Sequence, residues 1–84
     1  MNQRYIVYTR SNCQFCDNAI SLLNDEDLPY NIIPLGDEER VLSEVKKALK
    51  WKTFPIVFLQ SGDGSLDLVG GYTDLKTKLE ADNV

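Results

Sequence analysis

The chain has 84 residues, nine Lys and Arg against thirteen Asp and Glu, a net charge of −4 and no histidine, a balance that argues against a nucleic-acid surface. An apolar fraction of 43% with 26% charged residues is that of an ordinary globular protein, so one domain spanning residues 1–84 is expected and extended disorder is not. No apolar stretch approaches the ~20 residues of a membrane span, and no charged leader followed by a long apolar run opens the chain, so a cytoplasmic location without membrane attachment is expected.

Arg4 to Thr9 is rich in aromatic and β-branched residues and nearly continuous in apolarity, which suits a central strand covered on both faces. Arg10-Ser11-Asn12 is a polar turn. From Cys13 the spacing becomes helical, with Cys16, Ala19, Ile20 and Leu23 at i, i+3, i+4 and i+7. Asn12 or Ser11 is the expected cap of this helix, and Asn24-Asp25-Glu26-Asp27 ends it. Pro29 opens a second strand, Tyr30 to Ile33, which Pro34 and Gly36 close. A proline at the end of that strand suggests an edge position.

Asp37-Glu38-Glu39 begin a second helix, and Lys46, Lys47 and Lys50 finish it, the charge order that complements a helix dipole. Its expected buried stripe is Val41 or Leu42 with Val45, Ala48 and Leu49, and its lysines read as a solvated helix end. Thr53-Phe54-Pro55 precedes a third strand, Ile56 to Leu59. Ser61-Gly62-Asp63-Gly64-Ser65 is a hairpin turn, and Leu66 to Val69 is the return strand. Gly70-Gly71 breaks that strand. A last helix is expected from about Tyr72 to Ala81, with Leu75 and Leu79 inward and Thr73 or Asp74 as cap.

The order β-α-β-α-β-β-α describes a right-handed crossover followed by an antiparallel hairpin. The economical solution is an α/β fold with one four-stranded mixed sheet flanked by three helices. The Cys13 turn then lies at the C-terminal end of the first strand, where open α/β sheets place their ligands.

Cys13 and Cys16 are the only cysteines, and their position at a helix start carries chemistry. Amides at a helix N-terminus stabilise negative charge, and the thiolate is the reactive form of cysteine. Two thiols three residues apart can close a disulfide and reopen it. In a reducing cytosol such a pair reads as catalytic rather than as a structural staple. Zinc is the competing reading, but it needs four protein ligands or three plus water. With no histidine and no third cysteine, a zinc site would require carboxylates or a second chain, so no metal is expected. Two inert core cysteines are the remaining alternative. Cys16 falls on the apolar stripe, where desolvation keeps a thiol protonated. Phe15 falls off that stripe and is expected as an exposed lip. Trp51, Tyr5, Tyr8 and Phe58 read as packing residues.

Four landmarks then coincide: Cys13-Gln14-Phe15-Cys16 after the first strand, Thr53-Phe54-Pro55 before the third, Gly70-Gly71 after the fourth, and Tyr72-Thr73-Asp74 starting the last helix. In that order and spacing the chain resembles a dithiol glutaredoxin over essentially its full length. The resemblance implies a thioredoxin-like fold with Cys13 as nucleophile and Cys16 as resolving cysteine. It implies a cis proline at Pro55 and a groove for glutathione, with no permanently bound cofactor. Carried over by position, Thr53 and Phe54 beside Pro55 would form the backbone edge that pairs with the cysteinyl part of glutathione; on this reading Arg10 and Lys52 would hold its glycyl carboxylate, and Phe15 would cover the mixed disulfide. Gly71, Tyr72, Thr73 and Asp74 would take the γ-glutamyl end. The implied activity is that of a monomer reducing protein disulfides and glutathione mixed disulfides, with ribonucleotide reductase as a candidate client. The usual dipeptide between the cysteines is Pro-Tyr, and here it is Gln14-Phe15. Gln14 brings the motif toward glutaredoxin-like redoxins that draw electrons from thioredoxin reductase, which is the alternative function. A non-catalytic module in which two chains share an iron–sulfur cluster is a further alternative.

Overall fold

Burial along the first strand sets the layers. In β1 (Arg4–Thr9) the residues Tyr5, Val7 and Thr9 are buried, while Ile6 and Tyr8 between them are half-buried. One face of the strand is therefore dry and the other partly open. Residues 2–82 are described by a computed structural model. After β1 come α1 (Gln14–Asp25), β2 (Tyr30–Pro34), α2 (Glu39–Leu49), β3 (Ile56–Gln60), β4 (Leu66–Gly70) and α3 (Tyr72–Asp82). The strands lie in the order β2-β1-β3-β4. β1 runs parallel to β2 with Val7 opposite Ile32, and antiparallel to β3 with Val7 opposite Val57. β4 returns antiparallel to β3. This is the expected mixed sheet, and β2, which ends in proline, lies at its edge.

Tyr5, Val7 and Val57 share one face of the sheet with Ala19 and Leu23 of α1 and Leu75 and Leu79 of α3, forming the main core. Burying each leucine there contributes about 1.5–3 kcal/mol before the entropy of ordering is counted. Burial also lifts the Tyr5 hydroxyl pKa above its usual 10.0, and the Asp82 carboxylate adds to that rise. The stripe expected on α1 holds for Cys16, Ala19 and Leu23, with Ile20 half-buried.

The stripe expected on α2 is thinner. Leu42 alone is buried; Val45 and Leu49 are half-buried, and Val41 and Ala48 are exposed. Ile56, one residue along from Val57 and therefore on the reverse face, is fully buried yet lies outside the main cluster. A single helix on that face has no second helix beside it, so only its line of closest approach is dry. α2 also begins two residues later than the acidic run suggests, because Glu38 is extended and its side chain caps nothing. Lys50 closes α2 in the left-handed conformation, its N–H directed at the Lys46 and Lys47 carbonyls. In the β3–β4 turn, Asp63 accepts from the Ser65 amide at 3.0 Å and the Ser65 hydroxyl at 2.7 Å.

Candidate active site

The chain leaves β1 and must reverse into α1 within Arg10–Asn12. Asn12 takes φ 53° to do so, a conformation that asparagine tolerates better than most residues. This places Cys13, and neither Ser11 nor Asn12, at the cap position of α1. The Cys13 Sγ accepts the Cys16 amide N–H at 3.1 Å. The sulfur thus occupies the place that a serine or aspartate oxygen fills in most caps. Sequence reasoning missed this because it treated the cap and the nucleophile as separate residues.

Cys13 and Cys16 are joined as a disulfide with their Cα atoms 5.2 Å apart, within the ordinary range for such a bond. Cys16 is only 2% exposed, on the stripe with Ala19 and Leu23. Cys13 is half-buried. An incoming sulfur therefore meets Cys13 first. The Phe54–Pro55 peptide bond is cis, and the Phe54 carbonyl oxygen stands 3.8 Å from the Cys13 sulfur.

Two clefts meet at Phe15, which is 59% exposed and forms the expected lip. The first, about 410 Å³, holds Cys13 with Arg10, Lys52, Thr53 and Phe54. The second, about 230 Å³, is formed by Pro55, Gly71, Tyr72, Thr73 and Asp74, and it shares Phe15, Thr53 and Phe54 with the first. Together they have the size of a small-molecule groove. The Phe15 ring leans on the Tyr72 ring, with centroids 6.1 Å apart and planes 32° from parallel, so the lip bridges the two arms.

At the far end α3 starts directly after Gly71, and Asp74 Oδ2 accepts the Gly71 amide N–H at 3.0 Å. Asp74 caps from within the first turn. Asp74 is exposed and lines the second cleft.

The family of the chain follows from comparison with known proteins. A family model described as Glutaredoxin matches residues 5–63. The chain belongs to the glutaredoxin family. It is a small thioredoxin-fold protein with a Cys13–Cys16 dithiol site and a glutaredoxin-type thiol–disulfide oxidoreductase. Among solved structures, glutaredoxin 1 from Francisella tularensis, crystallised in complex with cacodylate, superposes with a TM-score of 0.79 at 20% identity over 94% of both chains. At that identity the likeness is one of fold. The solution structure of a glutaredoxin from Brucella melitensis gives a TM-score of 0.70 at 27% identity, covering 93% of this chain and 79% of that one. No protein with a curated description matches the chain.

This glutaredoxin-family site also contains residues that sequence reasoning did not assign to it. Asn12, Gln14, Glu39, Leu42 and Lys46 line the first cleft, and Trp51 lines the second. For α2 a signal existed: Glu39, Leu42 and Lys46 stand at i, i+3 and i+7, so they share the face that carries the buried Leu42. Lys46, read as part of a solvated helix end, is half-buried. Trp51 lies beyond the helix and gave no periodic signal. Its indole N–H is buried without a hydrogen-bond partner.

Among the described residues, no cluster of three or more His, Cys, Asp or Glu side chains is placed to hold a metal ion. No helix among them is long and apolar enough to cross a membrane.

Proposed function

We propose that this protein is a glutathione-dependent reductase of protein disulfides and of glutathione mixed disulfides. The observation that carries the reading is the position of the Cys13 sulfur between two differently charged cleft ends. Arg10, Lys46 and Lys52 outnumber Glu39 in the cleft that holds Cys13, and Asp74 with the first turn of α3 lines the other. Glutathione is a thiol flanked by a glycyl carboxylate on one side and an ammonium and carboxylate on the other. The cations suit the glycyl end. Asp74 suits the ammonium, and the free amides of α3 suit the α-carboxylate.

In the cycle, the Cys13 thiolate attacks one sulfur of a substrate disulfide and the other sulfur leaves as a thiolate that takes a proton. Cys16 gives up its proton and attacks the Cys13 sulfur, releasing the second substrate thiol and forming the Cys13–Cys16 disulfide. Two glutathione molecules then return the dithiol and leave as glutathione disulfide. With a glutathionylated substrate, Cys13 carries the glutathione and a second glutathione removes it. Action as a monomer is part of this reading, and a molecular mass measured in solution tests it. A reducing cytoplasm would keep the cycle running toward reduced substrate. Ribonucleotide reductase, the client suggested by the family resemblance, enters the same assay as its disulfide form.

The deciding assay supplies NADPH, glutathione reductase, glutathione and a glutathione mixed disulfide to the purified protein, and NADPH consumption is the expected result. Consumption only with thioredoxin reductase in place of the glutathione system would transfer the reading to a thioredoxin reductase-dependent redoxin. A second test separates the two jobs of Asp74. In Asp74→Asn an amide oxygen can still accept the Gly71 N–H, while the charge is lost. Glutathione affinity should fall roughly three- to ten-fold, as for loss of one or two exposed ionic contacts, with the melting temperature little changed. Unchanged affinity would remove the ammonium site from the groove.

A further inference from the structure

We infer that the groove continues past the glutathione subsite along the C-terminal end of α2, where it docks an acidic segment of the protein whose disulfide is being reduced. The inference rests on the disulfide-reductase reading and extends it to the partner. Its starting point is a surplus of unpaired positive charge. Arg10, Lys46, Lys47, Lys50 and Lys52 are five of the nine Lys and Arg residues in a chain of net charge −4. Arg10, Lys46 and Lys52 line the cleft that holds Cys13. Lys46 and Lys52 also line a neighbouring cleft of about 460 Å³, completed by Ser43, Lys47, Lys50 and Trp51. The two clefts share Lys46 and Lys52, so a surface lined by cations extends from the cleft that holds Cys13 to the end of α2.

None of the five is paired with a described carboxylate; the ion pair between Lys78 and Asp82 lies on α3. The helix dipole explains cations in the last turn of α2. It does not explain Arg10 and Lys52, which stand outside the helix. Nor does glutathione use the whole band, since its one carboxylate on this arm is answered by Arg10 and Lys52. Lys46, Lys47 and Lys50 remain over, around the half-buried Trp51 ring. A polypeptide in mixed disulfide with Cys13 would extend along this band, and Asp or Glu residues with an intervening apolar side chain fit its chemistry. Glu39, on the wall of the first cleft, repels such residues at the other end of α2 and so fixes their side. A nucleic acid fits less well, because the band is short and the rest of the protein is negative.

Trp51 is the only tryptophan, and its fluorescence reports occupancy of the band directly. The oxidised protein is titrated with a cysteine-free decapeptide rich in Asp and Glu, with its Asn and Gln counterpart, and with a single-stranded oligonucleotide of equal charge. The acidic peptide should bind at least about five-fold more tightly than the neutral one, with affinity falling as salt rises. Lys47→Gln/Lys50→Gln changes two exposed side chains outside the glutathione subsite. It should weaken the acidic peptide roughly three- to ten-fold. It should raise KM for a disulfide peptide with acidic flanks, leaving kcat and the reduction of a small glutathione mixed disulfide unchanged. Equal binding of acidic and neutral peptides, tighter binding of the oligonucleotide, or no effect of the double substitution would each overturn the inference. If the peptide binds as expected but glutathione supports no turnover, the glutathione reading fails and the docking band stands. If turnover is normal and charge preference is missing, only the docking band fails.

Discussion

Replacing Cys13 by serine is expected to lower disulfide reduction by at least about a thousand-fold, the scale on which removal of an enzyme's attacking atom is felt, while the reduced protein keeps its fold. The second half of that expectation comes from the cap. Cys13 Sγ accepts the Cys16 amide N–H at 3.1 Å, and a serine hydroxyl is among the best acceptors in that position. Cys13→Ala removes the same nucleophile and also the acceptor, leaving an amide of the first turn unsatisfied. It should cost about 0.5–2 kcal/mol more than the serine variant. In a domain of this size that is a fall of several degrees in melting temperature. Both variants are compared with the wild type under reducing conditions, so that loss of the disulfide itself does not enter. Equal melting of the serine and alanine variants would mean that the sulfur contributes nothing to the helix start.

The double use of one sulfur has a chemical consequence. An amide that donates to the sulfur holds it better as a thiolate than as a thiol, since a charged acceptor forms the stronger bond. Lowering a thiol pKa by about three units from its usual ~8.5 raises the thiolate fraction about 30-fold at neutral pH, but nucleophilicity falls roughly 15- to 30-fold. The attack is left nearly unchanged. The gain lies in the second half of the cycle, where a stabilised thiolate is a better leaving group. Cys16, fully enclosed by its helix stripe, stands one turn further in, within bonding distance of that same sulfur.

The elements of the fold were legible because each strand and helix carries its own periodic signal, and the glycine, proline and cysteine landmarks mark the junctions. β1 begins and ends where its aromatic and β-branched run does, and the inward Leu75 and Leu79 of α3 are buried as expected. What the sequence did not show depends on relations between elements. The width of the buried stripe on α2 is set by how many helices share its face, which local spacing does not encode. The cap of α1 shifted to Cys13 because Asn12 is used for the left-handed turn. Lys46 and Trp51 enter the site because α2 and its exit segment fold back beside the Cys13 loop. The expected groove residues, by contrast, sit on the segments that carry the landmarks, and those segments meet at the ends of β1 and β3 and the start of α3.

Gly70 is the position where the smallest substitution should do the most structural damage. Its φ of +121° is one that side chains rarely adopt. A β-carbon there would lie 2.6 Å from Asp74 Oδ2, 2.8 Å from its Cγ and 2.9 Å from its Cβ. Asp74 can escape only by giving up the hydrogen bond it accepts from Gly71. Gly70→Ala therefore combines backbone strain of about 1–3 kcal/mol with loss of a helix cap of about 1 kcal/mol. The expected total, about 2–4 kcal/mol, is a large part of the stability of a domain this small. It should appear as a lower urea midpoint with an unchanged slope. Gly71→Ala is the internal comparison. Its β-carbon would meet Trp51 Nε1 at 3.6 Å, the Pro55 carbonyl at 3.7 Å and Asp74 Oδ2 at 3.8 Å, all ordinary contacts. That variant should fold nearly as well as the wild type and place a methyl group in the cleft instead. Equal destabilisation by the two substitutions would show that the Gly70 conformation and its closeness to Asp74 do not govern the start of α3.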